Sequence, residues 1–113
     1  MQAVTRPAGS GGALLCAVLA LVPAPALSAE THRVVIEKFA FVPADISIRP
    51  GDRVAFLNRD LAPHTATGTD VAWDTGALTR GQSAEIAFES AGTFAYFCAF
   101  HPHMKARIRV TTN

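Results

Sequence analysis

Cysteine is nearly absent from this chain: its 113 residues include only Cys16 and Cys98. A multi-bridge disulfide framework of the kind that staples small exported domains is therefore excluded. Charge of one sign is missing too, with ten Lys and Arg against nine Asp and Glu. No basic run offers a nucleic-acid footprint, and Lys105, Arg107 and Arg109 alternate as one solvated strand face would. Past the first 29 residues there is no apolar 3.6-residue period, no internal repeat and no low-complexity tail. The longest apolar run, Ala13 to Val22, has ten residues, where a bilayer span needs about 20.

That short run has a different reading. Arg6 precedes it, and Pro23-Ala24-Pro25-Ala26-Leu27-Ser28-Ala29 follows with small residues. Positive, apolar and small-residue regions in that order predict a secretory signal peptide over residues 1–29, cut between Ala29 and Glu30. Leu15 stands before Cys16 where lipid attachment would need a small residue. The predicted location is the periplasm, and the functional domain is residues 30–113. Setting Arg6 aside leaves nine cationic against nine anionic side chains in that domain, with Cys98 as its single thiol. An unpaired cysteine in an oxidising compartment needs a protector, and metal coordination is one.

Within 30–113 the apolar residues alternate with a period of two. Val34-Val35-Ile36, Ile46 to Ile48, Val54 to Asn58, Ser83 to Glu89, Thr93 to Cys98 and Ala106 to Thr111 read as strands separated by turn residues. Arg49-Pro50-Gly51-Asp52 is a turn, and a hairpin across it, joining Ile46–Ile48 to Val54–Asn58, is the expected pairing. Six or seven short strands in 84 residues predict an all-β fold, an antiparallel β-sandwich.

The chemistry concentrates in Cys98-Ala99-Phe100-His101-Pro102-His103-Met104. A thiolate, an imidazole and a thioether at spacings of three and three suit copper, which must be held as both Cu(I) and Cu(II). The upstream Pro63-His64 supplies a second imidazole, 34 positions before Cys98. Candidate metal ligands are His64, Cys98, His101 and Met104. His103 is the competing imidazole and reads as a solvated neighbour, and His32 reads as a surface residue. Trp73 and the aromatics of Thr93–Cys98 read as packing.

This loop resembles that of the cupredoxins, small blue copper proteins of the amicyanin-like and plastocyanin-like kind, and among them its short spacing is most similar to the amicyanin-like members. Asn58-Arg59-Asp60-Leu61-Ala62-Pro63-His64, Asp74-Thr75-Gly76 and Ala91 to Cys98 carry the likeness through nearly all of the chain after residue 30. The resemblance implies a Greek-key sandwich and one type 1 copper ion cycling between Cu(I) and Cu(II). Asn58 is implied as an outer support that ties the first-His loop to the Cys98 loop.

The function implied is single-electron shuttling by a monomer, without bond chemistry on a substrate. Phe100, Pro102 and Pro63 would frame the His101 edge as an apolar docking patch for transient redox partners. A periplasmic dehydrogenase and a c-type cytochrome are the partner classes the resemblance suggests. A copper carrier or storage module, and a structural zinc site built from the same Cys and His, are the alternatives. An enzyme is not expected, because a Cys-His nucleophile pair would also need an oxyanion site and a substrate cleft.

Overall fold

The computed structural model describes residues 28–112, so the predicted leader lies outside the described residues except for Ser28 and Ala29, which are exposed and irregular. Eight strands follow: β1 (Thr31–Glu37), β2 (Ala40–Val42), β3 (Asp45–Ile48), β4 (Arg53–Asn58), β5 (Thr67–Gly68), β6 (Ser83–Ala87), β7 (Gly92–Phe97) and β8 (Lys105–Val110). They form two four-stranded sheets, ordered β2-β1-β4-β6 and β3-β8-β7-β5. The result is the expected all-β sandwich.

Period-two alternation decides what each strand buries. Val34 and Ile36 of β1, Val54, Phe56 and Asn58 of β4, and Ile108 and Val110 of β8 all turn inward, while Arg107 and Arg109 stay outside. Each fully buried side chain such as Phe56 or Ile108 contributes about 1.5–3 kcal/mol by leaving water. Trp73 joins this core from a loop. Its ring stacks on Phe56 at 5.9 Å and meets Phe88 and Tyr96 at 5.2 and 5.5 Å. Gly68 makes room for it, since a Cβ there would collide with the Trp73 indole and the Val71 carbonyl.

The expected hairpin does not form. β3 runs parallel to β8, with Ile46 beside Ile108, whereas β4 lies between β1 and β6 in the other sheet. The Arg49–Asp52 turn therefore carries the chain from one sheet to the other. Its Asp52 accepts the Arg49 and Glu30 backbone N–H groups, and Arg53 N–H reaches the Glu30 carbonyl. Those bonds set β4 beside β1 in a parallel pair, Val34 facing Phe56 and Ile36 facing Asn58. On the far edge, Asp45 holds Arg107 and Arg109 at 2.9 and 3.0 Å, which suits β3 to β8.

β2 and β5 are too short to leave a period in the sequence. β2 pairs back on β1 through a two-residue turn, Lys38-Phe39, closed by Glu37 facing Ala40. Both turn residues have positive φ, 53° and 56°. Such a turn favours Asn-Gly, and for L side chains the left-handed region costs roughly 1–2 kcal/mol per residue. Something must hold it.

Candidate metal centre

β4 ends on Asn58 and β7 ends just before Cys98, so both sheets deliver their polar residues to one end of the sandwich. Tyr96 and Cys98 share the inward face of their strand, which places the thiol under the loops with no exposure. The chain after it turns tightly: His101 N–H bonds to the Cys98 carbonyl, Met104 N–H to the His101 carbonyl, and Cys98 N–H to the Met104 carbonyl, at 3.1, 2.9 and 3.1 Å. This ring of bonds puts His101 and Met104 back over Cys98, and Met104 is buried.

His64 arrives from the opposite loop. Its backbone pairs with Leu78 in both directions, N–H to carbonyl at 3.1 and 2.8 Å. Thr65 then fixes that loop to the other one: its N–H points at Cys98 Sγ at 3.4 Å, and its hydroxyl accepts the Ala99 N–H at 2.8 Å.

The sequence-predicted residues His64, Cys98 and His101 converge. Nδ1 of His64 and Nδ1 of His101 each lie 3.6 Å from Cys98 Sγ, and the three ligand atoms are all within 4.8 Å of one another. An edge of 3.6 Å is what a sulfur and a nitrogen ligand atom keep when they share an ion at bond lengths of about 2.0–2.3 Å and an angle of roughly 110–120°. The donor set therefore fits a metal, and with a buried thioether beside it, and no carboxylate among the three converging ligand atoms, it is consistent with a type 1 copper site. His103 is exposed and stands outside this cluster, its ring 6.4 Å from that of His101.

Asn58 is buried, and its bonds go to partners other than the Cys98 loop. Its amide donates to the carbonyls of Ala62 and Leu78 at 2.9 and 2.7 Å, and its oxygen accepts the Asp60 N–H at 2.8 Å. Asn58 thus shapes the first-His loop internally, and the tie to the Cys98 loop is made by Thr65.

Besides Thr65, two more residues at the site, Asp60 and Phe39, were not singled out from the sequence. Asp60 Oδ2 lies 2.8 Å from His64 Nε2, and the same carboxylate accepts the Lys38 and Phe39 N–H groups at 2.7 and 2.9 Å. Partial burial opposes its charge, but the Phe39 N–H, His64 and the Lys38 N–H outweigh that and hold its pKa below the usual carboxylate range. Asp60 is thereby the holder that the strained Lys38-Phe39 turn requires. The turn in return lays the Phe39 ring edge-on against His64 and His101, at 5.0 and 4.9 Å. The signals available were weak: Asp60 is four residues before His64, and Lys38-Phe39 has no turn chemistry.

Around the His101 edge, Phe100 is 51 % exposed and Leu61 81 %, with Pro63 and Pro102 exposed beside them. Phe39, itself 47 % exposed, lies against the His101 ring and lines a shallow groove with Leu61.

A second polar cluster, Glu30, His32 and Asp52, occupies the other end of β1 and β4. His32 is half-buried, 2.9 Å from Asp52, and takes no part in the Cys98 site.

The likenesses to known proteins agree with this geometry. The profile of the Cupredoxin-like domain matches residues 12–110. Amicyanin of Paracoccus versutus is 30 % identical over 95 residues, covering 79 % of this chain and 71 % of that protein. Plastocyanin of Capsella bursa-pastoris is 34 % identical over 89 residues, covering 66 % and 88 %. Among solved structures, the Cu-containing nitrite reductase of Thermus scotoductus superposes with a TM-score of 0.70 and 30 % identity over 81 % of this chain, which spans only 25 % of that larger one. By sequence and by fold, the chain belongs to the cupredoxin-like domain family.

Proposed function

We propose that this protein is a periplasmic type 1 copper protein that shuttles single electrons, exported through a leader at residues 1–29 and active as residues 30–113. The observation that carries the reading is the equal 3.6 Å placement of two imidazole Nδ1 atoms about a fully buried thiol. In this reading Cys98 would hold the ion as a thiolate, His64 and His101 as imidazoles, and Met104 as a weak thioether ligand. Bound copper supplies the one-electron couple.

The chain's own residues make that couple fast and selective. Thr65 N–H stabilises negative charge on Cys98 Sγ, and Asp60 fixes the tautomer and tilt of His64. Buried, cross-bonded ligands change little between oxidation states. His101 is the half-exposed ligand and so the electron's exit, through the patch of Phe39, Leu61, Pro63, Phe100 and Pro102. Its partners are redox proteins docking briefly there, with a periplasmic dehydrogenase and a c-type cytochrome as the classes suggested.

Cargo delivery suits the site less well. A carrier that hands over its ion needs accessible ligands, and Cys98 and His64 have none of their surface exposed. The same burial denies Cys98 to a substrate as a nucleophile. The test is a visible and EPR spectrum of residues 30–113 loaded with Cu(II), followed by voltammetry. An intense thiolate-to-copper band, narrow hyperfine splitting and a reversible one-electron wave are expected. A colourless protein that holds zinc or Cu(I) tightly would overturn the reading.

A further inference from the structure

At the pole remote from Cys98, Asp52 stands at the head of β4 with 3 % of its surface exposed. Its Oδ1 accepts the Glu30 N–H at 2.9 Å, and its Oδ2 accepts the Arg49 N–H at 3.0 Å and lies 2.9 Å from His32 Nε2. The carboxylate is fully hydrogen-bonded but lacks a permanent cation. Among the described residues its one ion-pair partner is His32, an imidazole that is charged only when protonated. Buried charges are normally matched by an opposite charge.

The donor on Oδ1 belongs to the residue that follows the small-residue end of the leader. Ser28, Ala29 and Glu30 are exposed and irregular, and β1 begins at Thr31, so the Ala29–Glu30 bond lies just outside the sheet. Ser28 and Ala29 lie along a groove of about 270 Å³ with Arg49, Pro50 and Thr112. We propose that the chain is cut between Ala29 and Glu30, and that Asp52 is the receptor for the α-ammonium group this creates.

The balance is simple. An export peptidase adds water across the amide, the hydroxyl goes to the Ala29 carbonyl carbon, and the Glu30 nitrogen takes the hydrogen and then a proton. That nitrogen already sits 2.9 Å from Oδ1, so it need not move. A neutral amide donor becomes a cationic one, and charge-assisted bonds are roughly twice as strong as neutral ones. Maturation would thus supply the missing cation and pin the start of β1 to β4. This inference rests on the leader proposed above and is independent of the copper reading.

The test begins with the whole chain, produced with its leader in an exporting bacterial host. The intact mass of the exported protein should be that of residues 30–113; any other terminus overturns the cut. Thermal midpoints of metal-free 30–113 and 28–113 are then compared, both chains keeping the whole core from Val34 to Val110. The two-residue extension keeps the Glu30 N–H bond but makes its nitrogen a neutral amide and moves the α-ammonium charge to Ser28. We expect 30–113 to melt roughly 4–8 °C higher near neutral pH, and the gap to close in Asp52→Asn. Equal midpoints, or a gap that survives Asp52→Asn, overturn the receptor role. If Asp52→Asn does not fold, acetylating the α-amine of 30–113 makes the same contrast, and an unchanged midpoint rejects the contact.

Discussion

Asp60 Oδ2 lies 2.8 Å from Nε2 of His64, on the far side of the ring from the Nδ1 that faces Cys98 Sγ at 3.6 Å. Both nitrogens of the ligand are therefore committed, one to the site and one to a carboxylate. That carboxylate also carries the Lys38-Phe39 turn. One side chain thus orients a ligand and positions the aromatic cover over two ligand rings.

Asp60→Asn should loosen both. A carboxylate behind an imidazole raises its basicity and favours the more highly charged Cu(II), so its loss weakens Cu(II) binding about 10–100-fold. If a tenfold loss falls on Cu(II) alone, the reduction potential rises by about 59 mV. Voltammetry checks the direction. Thermal unfolding of the metal-free variant should also show a loss, because two strained backbone N–H groups lose their charged acceptor. An unchanged potential would reduce Asp60 to a turn support.

Met104 and His103 separate the ligand set from its neighbour. Met104→Leu preserves a buried apolar volume and should keep copper and colour while raising the potential by tens of millivolts, on the order of the 59 mV that a tenfold affinity change produces. His103→Ala touches an exposed ring and should change neither colour nor potential. If His103→Ala bleaches the protein while His101→Ala does not, the ligand assignment is overturned.

How much of this was readable in advance differs by residue. Cys98, His101 and Met104 are close in sequence, so their spacing already states the donor set, and His64 is marked by its Pro63. Strand faces were legible for the same local reason, since period two says which side chains turn inward. It does not say which strand lies alongside. The parallel β1–β4 and β3–β8 pairs depend on bonds from Asp52 and Asp45 to residues 22 and 62 positions away. Asp60 and Phe39 were hidden because each looks solvated or structural until the fold brings their loops together.

Asp52 should make the fold sensitive to acid. The Glu30 and Arg49 backbone N–H groups, then the His32 ring, hold its pKa down to about 2, from an ordinary 3.8. A carboxyl whose folded pKa lies below its unfolded one stabilises the fold fully above the unfolded value. That contribution fades as pH falls from about 3.8 and is gone below about 2. Acid unfolding of Asp52→Asn should accordingly be flatter than wild type across this window, with the neutral-pH midpoint already lowered. Parallel acid limbs in the two proteins would place the acid-sensitive group elsewhere.

Tyr96 gives a prediction of opposite sign. Its ring packs against Phe41, Phe56 and Trp73 at 1 % exposure, and its hydroxyl has no hydrogen-bond partner among the described residues. Burial pushes its pKa up from an ordinary 10.0. An unpartnered buried hydroxyl costs about 1–3 kcal/mol, so Tyr96→Phe should leave the core packing intact and stabilise the protein by about 1 kcal/mol, or 4–8 °C in midpoint. Because the raised pKa favours the neutral phenol in the folded state, wild type should lose stability as pH rises above about 10, and Tyr96→Phe should lose less. The blue spectrum should be unaffected, since the hydroxyl takes no part in holding Cys98. A midpoint that falls by a degree or more in the variant would mean that the hydroxyl is satisfied in solution, most simply by a buried water, and that Tyr96 is polar glue in the core.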